Sequence, residues 1–118
     1  MPPLNELQMT NFSNHSDIKR SDLKVWLSDS NEHLVVLIFV ADWAGSVAIL
    51  RGFMERILRD EPELVVIWVD IEKQPEITLD LGVASVPTVV LLRNQEVVDH
   101  IGEVLPRKKL AERIALHI

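Results

Sequence analysis

Cysteine is absent from the 118 residues, and this excludes more chemistry than any residue present. Without a thiol there is no disulfide, no thiolate nucleophile, no cysteine zinc site and no iron–sulfur ligation. Glycine is scarce as well: the four glycines, at 45, 52, 82 and 102, stand far apart and form no phosphate-cradling loop. Positive charge is in deficit, with 12 Lys and Arg against 18 Asp and Glu and a formal net charge of −6. Such a chain repels a phosphate backbone unless its cations gather on one face. The one basic run is Arg107-Lys108-Lys109, so nucleic acid is not an expected partner. The histidines, His15, His33, His100 and His117, lack ligand spacing and the carboxylates are dispersed, so neither a metal nor a cofactor is expected. The longest apolar stretch, Leu34 to Leu50, is broken by Asp42 and is too short to span a membrane. The opening MPPLNELQMT has neither the cationic region nor the apolar run of a secretory signal. The expectation is a soluble cytoplasmic protein with no membrane partner.

What is present is ordinary in amount and informative in order. The chain is 47% hydrophobic and 25% charged, the balance of one globular domain long enough to bury a core without staples. Residues 1–15 mix Pro, Asn, Gln and Ser without period and read as a flexible arm or short edge strand. Residues 16–118 read as the folded domain. Ser21 offers a helix N-cap, and Leu23, Trp26 and Leu27 share one face of a helix ending near Asn31. Leu34 to Ala41 is a continuous, β-branched run that suits a central strand covered on both faces. Ser46 to Asp60 switches to helical period: Val47, Leu50, Phe53, Met54, Ile57 and Leu58 fall together, with Arg51, Glu55 and Arg59 on the outer face. Pro62 stops that helix, and Leu64 to Ile71 is a second buried strand, completing a right-handed βαβ unit. A short helix from Pro75 to Leu81 closes at Gly82. Thr88 to Arg93 and Val97 to Ile101 form an antiparallel hairpin. Pro106 opens a last helix whose core face is Leu110, Ala111, Ile114 and Ile118. The fold class is therefore α/β: a mixed central sheet, built from a βαβ unit and an antiparallel ββα unit, flanked by helices.

Three landmarks carry a family resemblance. Phe39-Val-Ala-Asp-Trp43-Ala-Gly-Ser-Val47 resembles the thioredoxin active-site segment, in which a strand runs into Trp-Cys-Gly-Pro-Cys and then a helix. Val83-Ala-Ser-Val-Pro87-Thr88 resembles the family's cis-proline loop, and Gly102 matches the glycine after its last strand. The resemblance implies a thioredoxin fold over residues 16–118. It also locates the departures: Ala44 and Val47 stand at the positions of the two cysteines, and Ser46 at that of the proline between them. Ile38 stands at the position of the family's buried aspartate and Trp68 at that of the lysine accompanying it. A buried carboxylate without its cation is costly, so losing both together is physically coherent. The resemblance thus implies a redox-inactive relative, not a thiol–disulfide enzyme.

Ser46 as a nucleophile would need a base within reach and an orienting third group, and no histidine is near it in sequence. Its ordinary role at a helix start is a capping or first-turn hydroxyl. Asp42 reads as a solvated turn residue. What the resemblance leaves is peptide binding, with an extended guest held across the motif and the cis-proline loop by strand addition. The expected surface is Trp43, Ala44, Gly45, Ser46, Val47, Val86 and Pro87. Trp43 would serve there as an apolar anchor or, alternatively, as a shield packed on its own loop. The expected partner is a protein or extended peptide, in a chaperone or assembly role. The rival readings are a non-thiol enzyme on the same fold and a structural subunit that homodimerises through the apolar face.

Overall fold

A computed structural model describes residues 20–118, with side chains from Leu23 onward. The expected arm at 1–15, with His15, lies outside the described residues. The elements follow the expected order: α1 (Arg20–Asp29), β1 (Val35–Val40), α2 (Val47–Asp60), β2 (Val65–Asp70), α3 (Pro75–Asp80), β3 (Thr88–Arg93), β4 (Glu96–Ile101) and α4 (Arg107–Ala115). The sheet order is β2-β1-β3-β4, with β1 and β2 parallel and the other pairs antiparallel.

The β1 run is apolar throughout because both of its faces are covered. Val36 and Ile38 join Leu50, Met54 and Ile57 of α2 and Leu110 and Ile114 of α4 on one face. Val35, Leu37 and Phe39 turn to the other face, where Trp26 of α1 and Ile77 of α3 meet them. Burying each such side chain stabilises the fold by about 1.5–3 kcal/mol, so this double layer holds the sheet rigid beneath its loops. Gly82, at φ 68°, takes the left-handed conformation that ends α3, as its position implied. The β3–β4 turn is Asn94-Gln95, both left-handed, which matches the twist of a two-residue hairpin.

Two details differ from expectation. Helix α1 is already formed at Arg20, so Ser21 lies inside it and does not occupy the N-cap. Helix α4 stops at Ala115, and Ile118 is 50% exposed and leaves the core face to Leu110 and Ile114. Nothing beyond Ala115 continues the helical period that would turn Ile118 inward.

Candidate binding surface at one end of the sheet

Phe39 is paired with Thr88 across β1 and β3, so the loop after Phe39 and the loop before Thr88 leave adjacent strands at the same end. This register brings residues 41–47 beside residues 84–87. In the first loop the Ala44 N–H donates to the Ala41 carbonyl at 3.0 Å, closing a tight turn with Asp42 and Trp43 at its corners. Trp43 is 67% exposed, so it stands out of the turn and does not shield the loop. The other tryptophans, Trp26 and Trp68, are each 5% exposed. Gly45 faces open space: a Cβ built there meets nothing within 4 Å. Ala44 is half-buried, and Val47 packs from the first turn of α2 against the core.

Ser46 occupies the N-cap position of α2, and its carbonyl accepts from the Leu50 N–H at 3.1 Å. Its hydroxyl stands at the helix start as expected but makes no capping bond. The backbone at φ −90°, ψ 3° departs from the extended geometry that aims a capping side chain at the next amides. The first N–H groups of α2 therefore have no side-chain acceptor from this residue. Among the described residues, no histidine bonds Ser46. His33 precedes β1 at the far end of the sheet, His100 lies exposed on β4, and His117 contacts Asp99. No described general base stands beside the hydroxyl.

The second loop contains a cis Val86-Pro87 bond, with Pro87 buried and Val86 half-buried against the α1–α3 side of the core. Thr88 Oγ1 donates to the Ser85 carbonyl at 2.6 Å, which braces the loop where β3 begins. Among the described residues, neither the amide nor the carbonyl of Val86 has a backbone partner. Backbone groups outside the strand ladder take a side chain, water or a guest strand as partner.

Behind the two loops the core is dry. Ile38 is paired with Trp68 across β1 and β2, and the two are 0% and 5% exposed. The Arg51 guanidinium lies 4.3 Å from the centre of the Trp68 ring, a cation–π contact that covers the indole from the α2 side. Arg51, Glu55 and Arg59 are all exposed, as their spacing implied, and Arg51 adds the contact with the Trp68 ring. Among the described residues, no group of three His, Asp or Glu side chains is placed to hold a metal ion, and no helix is long and apolar enough to cross a membrane.

Sequence reasoning missed one cluster away from this surface. Asp99 on β4 receives two hydrogen bonds from Arg113 on α4, from Nε at 2.9 Å and a terminal nitrogen at 2.5 Å. His117 Nε2 lies 3.2 Å from the same carboxylate. The Arg113 bonds hold the Asp99 carboxyl down to about 2, against the opposing effect of burial, with His117 and the His100 amide adding to the lowering. No local signal marks the cluster, since its members come from two elements.

The thioredoxin family's sequence profile matches residues 16–116. A thioredoxin of Chlorobaculum thiosulfatiphilum is 27% identical over 89 residues, covering 75% of this chain and 82% of that protein. A thioredoxin of Listeria monocytogenes is 30% identical over 91 residues, covering 76% of this chain and 88% of that one. Among solved structures, Fasciola hepatica thioredoxin superposes with a TM-score of 0.77 at 25% identity, covering 85% of this chain and 95% of its own.

Proposed function

The chain belongs to the thioredoxin family, and from that premise we propose that it is a redox-inactive member that binds an extended peptide or protein segment at the motif end of its sheet. Its relatives are named thioredoxins, but their chemistry needs a thiol to form the mixed disulfide, and this chain contains none. The lost proton-handling pair supports the same reading: Ile38 and Trp68 offer no acceptor behind the motif. The observation that carries the binding role is the unpaired Val86 backbone beside the exposed Trp43. A guest strand satisfies the first by strand addition and covers the second, and the small Ala44, Gly45 and Ser46 permit its close approach. Trp43 supplies apolar area with few rotatable bonds to immobilise. A role in chaperoning or assembly follows from this mode of binding.

Two measurements test the proposal. Purified protein should show no dithiol-dependent reduction of insulin above a control without protein, and turnover would overturn the redox half. A partner captured from the native cell should move the amide resonances of Trp43, Ala44 and Val86. Shifts confined to Arg107–Lys109 or the outer face of α2, with the Trp43 loop silent, would overturn the binding half.

A further inference from the structure

Charge is distributed unevenly around the motif end. The loops after β1, β2 and β4 and the loop before β3 all leave the sheet here. Over β1 and β2 they place Asp42, Asp70 and Glu72 against a single cation, Lys73. Asp70 also accepts the Glu72 N–H at 2.8 Å, which holds these two acidic residues side by side. Over β3, residues 84–88 carry no charge. Over β4, Glu103 is the single acidic residue and stands beyond β3 from the group over β1 and β2. Beside these loops runs an uncharged tract from Trp43 to Leu50, in which Trp43 and Ile49 are 67% and 57% exposed. Surface charges act over about 8 Å at physiological ionic strength, so acidic residues elsewhere on the chain do not set this local field.

We propose that the occupant is an extended peptide with an apolar centre and one cationic flank. The apolar residues lie on Trp43 and Ile49, and the cations reach Asp42, Asp70 and Glu72 over the ends of β1 and β2. The proposal rests on the motif-end reading above and adds to it the chemistry and direction of the guest. Apolar burial is non-directional and does not by itself choose which way a strand lies. Backbone pairing at Val86 fixes the line of the guest, and charge at one flank only fixes its orientation. Arginine suits the flank because its planar fork pairs with carboxylates two bonds at a time. An acidic flank meets like charge there and is rejected.

The test uses capped nine-residue peptides of alternating Thr and Val that carry two Arg, two Glu or two Gln, with the pair placed at either end in turn. Binding is read by acrylamide quenching of tryptophan fluorescence. Trp43 dominates that signal because Trp26 and Trp68 are each 5% exposed. One placement of the Arg pair should bind roughly fivefold tighter than its Gln counterpart, the yield of two exposed ion pairs. Raising salt should shrink that advantage, and Asp42→Asn combined with Glu72→Gln should erase it. Equal affinity for all peptides, or preference for Glu, with Trp43 protected in each case, overturns the cationic flank and leaves the motif-end reading standing. Absence of binding by every peptide, or binding that leaves Trp43 unprotected, overturns both.

Discussion

The two ends of the sheet treat their polar groups in opposite ways. At the hairpin end Ser30 is fully buried, and its hydroxyl both donates to the Leu27 carbonyl at 2.5 Å and accepts the Gln95 N–H at 2.8 Å. The Ser30 carbonyl accepts the Asn94 N–H at 2.8 Å. Two of these bonds tie the end of α1 to the β3–β4 turn, and the left-handed turn residues are held where their amides can donate. At the motif end the Ser46 hydroxyl makes no capping bond, the Val86 amide and carbonyl have no backbone partner among the described residues, and Trp43 stands in solvent. Both ends grow from the same rigid, doubly covered strands. A hydrogen bond satisfied within the chain stabilises the fold, whereas one left open is available to a partner. One end closes its polar groups within the chain and the other leaves them open.

The largest expected effect comes from charging the core behind the open end. Ile38→Asp buries a carboxylate without a cation and should cost about 3–5 kcal/mol in urea unfolding, with part of the loss regained on adding Trp68→Lys. A loss below about 1 kcal/mol would mean that water reaches Ile38 through the motif, and the dry backing of that surface would be refuted. Next comes the hairpin end, where Ser30→Ala strands the Gln95 amide and should cost about 1–3 kcal/mol by the same measurement. Third is the Asp99 corner, which belongs to neither end. The folded carboxyl is lowered from 3.8 to about 2, so its stabilisation is complete above about pH 4 and disappears as the pH falls towards 2. Asp99→Asn should lower stability at neutral pH by about 1 kcal/mol and flatten that acid limb, read from unfolding curves at stepped pH. The smallest effect is at the motif itself: Trp43→Ala should leave stability within about 0.5 kcal/mol of the parent while weakening guest binding. A larger loss of stability would place Trp43 among the packing residues and blur the contrast.

Much of the fold was legible because its signals are local. The β-branched run at residues 34–41, the helical period from Val47 to Leu58 and the turn chemistry at Gly82 each act within a few residues. The motif and proline loops were legible as landmarks, and the register of Phe39 with Thr88 brings them together. Ser21 was misread as a cap, and Ser46 holds the cap position without the capping bond, for one reason. A hydroxyl near a helix start is a common cap, but the backbone angles and the helix's true first residue decide whether it caps, and the surrounding packing sets both. Arg51 is exposed as its period implied, but its contact with Trp68 was not legible, because helical period does not say what stands beside the helix.

The sequence by itself determined that the chain carries no thiol, that it alternates strands and helices in one order, and which residues are apolar enough to bury. Those properties depend on residue type and short spacing, and no folding is needed to count them. Only the tertiary structure decided that Ser30 reaches Gln95, 65 residues away, that Arg113 and His117 converge on Asp99, and that Trp43 faces water while Trp68 lies beneath Arg51. Each depends on strand register and helix placement, which are set when the two apolar layers close over the whole sheet and which no short stretch of chain encodes.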